Sequence, residues 1–230
     1  PMQQADKHNG SGINCQEKQK QDKHQPMKII GITGGSGSGK STLCRLFQQQ
    51  GIPVLDTDRV AHEITQTGAP ALTELAQAFG TQILDETGAL RRQVLADLVF
   101  GTENEQEKKE RQETLNRITH KYVWERTKDW LRSQHTDICV LDVPLLFESG
   151  MNELCDLCVG VTASVSTRTD RIIKRDGITP QRAQARIAAQ PNDDFYRTHC
   201  DMLITNDKNT TMADLQAAVL AILKRPELQS

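Results

Sequence analysis

One eight-residue run constrains this chain more than any other feature. Residues 34–41 read GGSGSGKS and fit the pattern G-x-x-x-x-G-K-[ST], with one apolar run at 29–32 and another at 43–47. A strand, a glycine-rich loop and a helix in this order form a phosphate-binding loop, because the glycines allow a tight turn and the helix offers its positive N-terminal end. The run therefore predicts a nucleoside triphosphate site, with Lys40 on the β- and γ-phosphates and the Ser41 hydroxyl on magnesium.

The overall composition narrows the class of protein and of partner. The chain has 230 residues, of which 37% are hydrophobic and 25% charged, and its net charge is −2. It can bury a core without disulfides or metals, and no apolar run approaches the ~20 residues that a membrane-spanning helix needs. We expect that the group accepting a phosphate from the nucleotide belongs to a small molecule, and that the protein binds neither nucleic acid nor a membrane. We also expect a monomer or a small homo-oligomer.

Six cysteines are scattered along the chain, mostly inside apolar runs. We expect reduced thiols and a cytoplasmic location. Cys155 and Cys158 have the C-x-x-C spacing of zinc ligands, but a structural zinc motif usually supplies two such pairs. Because Cys158 lies in a run typical of a buried strand, we favour a packing role over a zinc site.

Hydrophobic patterning indicates a tail and one domain. Residues 1–26 are polar and predict a disordered tail, followed by a domain at 27–225. Strand candidates lie at 29–32, 52–55, 138–141, 157–161 and 202–204. Apolar strands that alternate with helices predict a three-layer α/β fold, the P-loop NTPase fold, with a five-stranded and mainly parallel sheet.

The domain is expected to have three parts. Residues 62–136 contain only helical patterns, which predicts a helical lobe inserted into a core formed by 27–61 and 137–225. A further helical segment at about 166–195 carries several arginines and predicts a lid.

Three aspartates follow strand candidates. Asp56 and Asp58 end the second strand, and Asp142 ends the third. Ligands gather at the carboxyl ends of parallel strands, so Asp58 could orient or deprotonate an acceptor hydroxyl and Asp142 could touch the magnesium shell. The alternative is that Asp56 and Asp58 only cap the next helix, with Asp58 well placed as its N-cap, and that Asp142 is an ordinary strand-end residue.

Arg168, Arg171 and Arg175 are spaced to share one helix face. Guanidinium groups bind phosphate oxygens in pairs and stabilise charge that develops during phosphoryl transfer. Arg171 and Arg175, together with Lys40, are therefore candidate catalytic residues. The alternative is an ordinary exposed basic helix.

Beyond the phosphate loop, the chain resembles the dephospho-CoA kinase family from Met27 to about Leu223. The resemblance includes Asp56-Thr57-Asp58, Ile118-Thr119-His120, Val143-Pro144-Leu145-Leu146-Phe147-Glu148 and Arg175-Asp176-Gly177, together with Gly68-Ala69-Pro70-Ala71, Phe79-Gly80, Arg92, Phe100, Arg171, Gln190 and Asn206. It implies transfer of the ATP γ-phosphate to the ribose 3′-hydroxyl of dephospho-CoA, with ATP and Mg²⁺ as cofactors.

The resemblance also implies roles for individual residues. Asp58 matches the general base, Arg92 and His120 would contact the acceptor, and Asn206 falls near the loop around the adenine. Together with the motif, the expected ATP-binding residues are Gly35, Ser36, Gly37, Ser38, Gly39, Lys40, Ser41, Thr42 and Asn206, and the expected metal-binding residues are Ser41 and Asp142.

Three positions depart from the family's common pattern. Ser36 stands where isoleucine is common, Lys121 where proline is common, and Arg168 where glutamine is frequent. None of these changes removes a charged group that the mechanism requires. Lys121 leaves the surroundings of His120 less defined.

Two other functions share some of these features. A nucleoside monophosphate kinase would have the same loop, sheet and lid and would differ in its acceptor. A slowly hydrolysing nucleotide switch is less favoured, because the chain has no N-K-x-D guanine-binding motif and does have acids at its strand ends.

Overall fold

A parallel sheet lies beneath the phosphate loop. The computed structural model describes residues 26–229. Its strands are β1 (Lys28–Thr33), β2 (Val54–Asp56), β3 (Ile138–Asp142), β4 (Leu157–Thr162) and β5 (Met202–Thr205), in the order β2-β3-β1-β4-β5. All four strand pairs are parallel, which confirms the predicted sheet. The predicted tail lies, apart from Pro26, outside the described residues.

Helices connect and cover these strands. They are α1 (Lys40–Gln49), α2 (Thr57–Glu63), α3 (Pro70–Phe79), α4 (Arg92–Phe100), α5 (Glu105–Arg132), α6 (Val165–Asp176), α7 (Pro180–Ala188), α8 (Asp193–His199) and α9 (Met212–Leu223). No helix among residues 26–229 combines the length and the apolar composition that a bilayer crossing needs.

Each face of the sheet has its own core, because successive strand residues point to opposite faces. On one face, Ile30, Ile32 and Val140 pack with Phe47 of α1 and Val219 of α9. The other face carries a second cluster, whose buried members include Cys139, Leu141, Val60, Val123 and Leu131. The result is the three-layer arrangement expected from the sequence.

The helices α3, α4 and α5 have a core of their own. Leu75, Ile83, Leu95, Val99 and Ile118 form a buried cluster that is separate from the two clusters on the sheet. The region contains no full strand, in agreement with the sequence pattern, but an isolated antiparallel bridge joins Leu84 to Leu90. Burial of five large side chains in one cluster stabilises this part of the chain.

The helices α6 and α7 form a smaller pair. Ile172, Ala183 and Ile187 are buried between them. Asp176 accepts from Arg175 and Arg186 at the far end of this pair. Only a small cluster of apolar side chains holds the two helices together, and whether they act as a lid stays a prediction.

The sheet register aligns the strand ends that matter for function. Asp142 lies opposite Asp56 on one side and opposite Ile32 on the other. The carboxyl ends of β1, β2 and β3 therefore meet at one edge, where the phosphate loop begins.

Candidate active site

The phosphate loop depends on backbone conformations that favour glycine. Gly37 and Gly39 have φ angles of 77° and 100°. A Cβ at Gly39 would also overlap the Asn206 carboxamide, and one at Gly37 would overlap the Arg168 backbone. The glycines are therefore required both for the turn and for close packing against the strands and the lid.

Side chains on the far side of the loop bind its carbonyl groups. Arg168 Nε donates to Ser36 O at 2.9 Å, and Arg171 Nη1 donates to Gly37 O at 3.1 Å and to Ser38 O at 3.2 Å. Asn206 Nδ2 also donates to Ser38 O, at 3.0 Å. With three consecutive carbonyls turned this way, the N–H groups of Gly37 and Gly39 have no acceptor within residues 26–229 and can bind phosphate oxygens.

The loop opens into a cavity of about 340 Å³, the phosphate pocket. The expected ATP-binding residues that line it are Gly35, Ser36, Gly37, Gly39, Lys40 and Ser41. Ser38, Thr42 and Asn206 do not line it: Ser38 and Asn206 are buried behind the loop, and Thr42 continues α1. Lys40 Nζ donates to Gly34 O at 2.8 Å, so its ammonium group lies at the loop.

Asp142 and Ser41, the two expected metal-binding residues, both line this pocket. Asp142 is only 8% exposed, and its Oδ1 is buried without a partner among the described residues. Burial raises the pKa of Asp142 to about 6, with Lys40 opposing that shift and Asp56 adding to it. An unpaired carboxylate oxygen beside a serine hydroxyl fits the all-oxygen ligand set of Mg²⁺.

Asp56 and Asp58 have separate positions. Asp56 is the N-cap of α2, and its Oδ1 accepts from Asp58 N at 2.9 Å and from Arg59 N at 3.1 Å. The capping role considered for Asp58 is therefore wrong, because Asp58 lies one residue inside the helix. Its carboxylate has no hydrogen-bond partner among residues 26–229 and is free to meet a ligand.

Asp58 lies where two cavities meet. It lines the phosphate pocket and also a neighbouring cavity of about 360 Å³, the acceptor cleft. Its side chain is still exposed, yet partial desolvation raises its pKa, the Asp56 carboxylate raises it further, and Lys40 opposes the shift. A carboxylate with a raised pKa at such a junction is a better proton acceptor than an ordinary aspartate.

The acceptor cleft is mostly apolar with a few polar groups. Arg92 and His120 line it, as expected from the resemblance, and Arg92 Nη2 donates to Thr65 Oγ1 at 2.8 Å. Phe100 and Leu145 also line it, and each is 53% exposed. Two large exposed apolar side chains at one cleft mark a surface that a ligand can cover.

Lys121 points away from this cleft. Its Nζ donates to Glu74 Oε2 at 2.9 Å, and Tyr122 Oη donates to the same oxygen. Lys121, which departs from the family pattern, therefore links α5 to α3 through Glu74, and His120 lines the cleft.

The lid arginines reach the phosphate pocket in different ways. Arg171 and Arg175 both line it. Most hydrogen bonds of Arg171 go to the loop and to Asn206, whereas Arg175 is paired with Asp176, with Nε to Oδ1 at 2.7 Å. Arg171 is thus held at the loop, and Arg175 is held on the lid.

A further cavity of about 680 Å³, the second cleft, lies on the other side of α2. Thr57, Asp58 and Ala61 face the acceptor cleft, while Arg59 and Glu63 line the second cleft. One short helix therefore separates two candidate routes to the phosphates.

Gln190 was not among the site residues expected from the sequence. It lines the phosphate pocket and bonds to Ser36, which is 154 positions away. Arg168, which was expected to face the phosphates with the other lid arginines, is instead 4% exposed and bound to the loop. Two sequence signals bore on this arrangement: positions 36 and 168 both depart from the family pattern, and Gln190 is one of the residues that carry the resemblance.

The C-x-x-C pair is part of the core. Cys158 is buried in β4, and Cys155 Sγ lies 3.4 Å from Met151 O. Within the described part of the chain, no three His, Cys, Asp or Glu residues form a metal-binding group.

Comparison with known proteins places the chain among kinases of one family. A family model described as dephospho-CoA kinase matches residues 28–212. The dephospho-CoA kinase of Bacillus cereus is 36% identical over 200 residues, 86% of this chain and 96% of that protein. That of Corynebacterium glutamicum is 39% identical over 194 residues, 83% of this chain and 93% of that protein.

Solved structures agree with the fold. TT1252 from Thermus thermophilus has a TM-score of 0.74 at 30% identity and covers 86% of this chain and 97% of its own. The dephospho-CoA kinase from Campylobacter jejuni has a TM-score of 0.60 at 21% identity and covers 85% of this chain and 95% of its own.

Proposed function

Because the chain belongs to the dephospho-CoA kinase family, we propose that it transfers the γ-phosphate of ATP to the ribose 3′-hydroxyl of dephospho-CoA, giving coenzyme A and ADP. This reaction is the final step of coenzyme A biosynthesis. The observation that carries the proposal is the position of Asp58, which lines both the phosphate pocket and the acceptor cleft. Donor and acceptor must meet in line for phosphoryl transfer, and this junction allows it.

The loop and Lys40 would hold ATP. The amides of the loop and the Lys40 ammonium would bind the β- and γ-phosphates, and Asn206, behind the loop, would act near the adenine. Ser41 and Asp142 would hold Mg²⁺, which would supply positive charge to offset that of the phosphates. The unpaired Asp142 oxygen supports this assignment.

Asp58 would orient the 3′-hydroxyl and accept its proton. The free carboxylate and its raised pKa support that role. Arg171 and Arg175 would offset the charge that develops on the transferring group, since both line the phosphate pocket.

The acceptor cleft would hold the adenosine half of dephospho-CoA, with Arg92 and His120 as polar contacts. Its apolar walls suit a purine and its opening reaches Asp58. The division into a core, an acceptor lobe at 62–136 and a lid at about 166–195 belongs to the same proposal. A cytoplasmic location and a monomeric or small oligomeric state stay predictions.

The test is ADP release by the purified protein with ATP and Mg²⁺. We expect release with dephospho-CoA and little with AMP, UMP or no acceptor, and we expect the phosphate of the product on the 3′ position by NMR. Release with a mononucleotide alone would replace the acceptor and keep the fold. Equal release in all mixtures would indicate a hydrolysing nucleotide switch.

A further inference from the structure

Two positions that depart from the family pattern meet in space. Arg168 Nε donates to Ser36 O at 2.9 Å, and Arg168 Nη2 donates to Gln190 Oε1 at 2.8 Å. The same Gln190 oxygen accepts from Ser36 N at 2.9 Å, and Gln190 Nε2 donates to Ser36 Oγ at 3.2 Å. We call these three residues the Ser36 latch.

The latch fixes the orientation of the glutamine. A buried guanidinium is costly unless its donors are hydrogen-bonded, and Arg168 is only 4% exposed. Its partners in the latch are the Ser36 carbonyl and the Gln190 carboxamide, so Gln190 must turn its oxygen toward Arg168 and its NH₂ group toward Ser36 Oγ.

The position of the latch links the lid to the phosphates. Arg168 lies near the start of α6 and Gln190 follows α7, so both ends of the lid are fixed at Ser36. Gln190 and Ser36 both line the phosphate pocket, beside Lys40. A Cβ at Gly35 would overlap the Arg168 guanidinium, so the loop and the lid are packed as closely as a glycine permits.

We propose that Gln190, oriented by Arg168, is a positioning residue for the nucleotide. It holds Ser36 so that the phosphate loop keeps its binding shape, and it places a neutral carboxamide at the rim of the phosphate pocket. The identity of the nucleotide as ATP rests on the proposed function, but the role of Gln190 requires only that phosphates bind at the loop.

Gln190→Glu is the decisive variant. The carboxylate has nearly the same shape and keeps both acceptor bonds, from Ser36 N and from Arg168, so the fold is retained. It also adds a negative charge beside the phosphates. We expect the Kd for a non-hydrolysable ATP analogue with Mg²⁺, measured by calorimetry, to rise at least tenfold while Tm stays within about 2 °C of the parent.

The control is Arg182→Gln on α7, the helix that precedes Gln190. Arg182 is exposed and lies outside the phosphate pocket, and its substitution changes the charge by the same amount, so we expect a Kd within twofold of the parent. An unchanged Kd for Gln190→Glu would overturn the proposal. Because the titration contains no acceptor, this result is independent of whether dephospho-CoA is the substrate.

A double-mutant cycle tests the coupling within the latch. Ser36→Ile keeps the backbone bonds and loses only the Oγ bond, so we expect a two- to threefold rise in Kd. Arg168→Gln and Gln190→Ala should each weaken nucleotide binding, and the double variant should lose less than the product of the two single effects. Strictly additive effects would overturn the claim that Arg168 acts through Gln190.

Discussion

The phosphate loop and the acceptor cleft differ in what fixes their shape. The loop is held by backbone angles and by hydrogen bonds from Arg168, Arg171 and Asn206 to three consecutive carbonyls. The cleft is walled by side chains that come mainly from the four helices α2, α3, α4 and α5 and from the segment after β3, with few hydrogen bonds among them. Phosphate binding therefore depends on local backbone geometry, and acceptor binding depends on how distant helices pack.

Asp58 lines both regions, so its substitution should affect turnover and nucleotide binding differently. We expect Asp58→Asn to lower turnover by about 10²–10⁴-fold, because the proton acceptor is lost, while the Kd for an ATP analogue stays within threefold. Steady-state ADP release and calorimetry measure the two effects. Glu63→Gln, an acid on the other face of α2, is the matched control and should retain full turnover.

The pH dependence of kcat/KM should report the raised pKa of Asp58. Asp58 must be deprotonated to accept a proton, and its pKa is raised, so kcat/KM should fall as pH drops through a value above the usual aspartate range. An acid limb at the usual aspartate value in the parent would contradict the environment described for Asp58.

Substitution of Gly39 should weaken nucleotide binding and leave the acceptor cleft unchanged. Gly39→Ala places a side chain at a φ of 100° and against Asn206, so we expect nucleotide affinity to fall by about 10²-fold or more. Gly51→Ala is the control, because Gly51 has a φ of 78° but open space around it. Equal losses in both variants would mean that general backbone strain, and not the loop, is responsible.

The buried Asp142 carboxylate should lower the stability of the folded protein when it is ionised. Because the pKa of Asp142 is raised to about 6, the free energy of unfolding falls as pH rises from about 4 to 6. It stays at the lower value above that range. In metal-free buffer, we expect Asp142→Asn to increase the free energy of unfolding by about 1–3 kcal/mol at pH 8.

Urea denaturation at both ends of that range checks the sign. The difference between Asp142→Asn and the parent should shrink toward zero below about pH 4, where the Asp142 side chain is protonated in both the folded and the unfolded protein. A variant that is less stable than the parent at pH 8 would contradict the account of burial as the cause of the pKa shift.

The acceptor side should respond to loss of apolar surface. We expect Phe100→Ala to raise the KM for dephospho-CoA about tenfold with little change in the KM for ATP, because the exposed ring lines only the acceptor cleft. Met212→Ala removes a similarly exposed side chain elsewhere and should change neither constant. An equal rise in both KM values would mean that Phe100 does not contact the acceptor specifically.

The same contrast explains what could be predicted from the sequence. The loop, its strand and its helix are contiguous, so motif and pattern were sufficient for them, whereas the role of Asp58, which lies just after β2, was drawn from the family resemblance. The cleft required knowledge of packing: Phe100 and Leu145 are far apart in the chain, and no local pattern brings them to one wall.

Two details of the phosphate side also needed the structure. The choice of Asp56 over Asp58 as N-cap depends on where α2 begins, and helix starts are uncertain by a residue or two. The arginine spacing correctly placed Arg168 and Arg171 on one face, but only tertiary contacts show that this face binds loop carbonyls.

A crystal structure with dephospho-CoA and a non-hydrolysable ATP analogue tests the central claim most directly. We expect the acceptor's 3′-oxygen within about 2.6–3.2 Å of the Asp58 carboxylate, with its adenosine in the cleft beside Phe100 and His120. An acceptor bound in the second cleft, on the other side of α2 beside Arg45 and Trp130, would contradict the account.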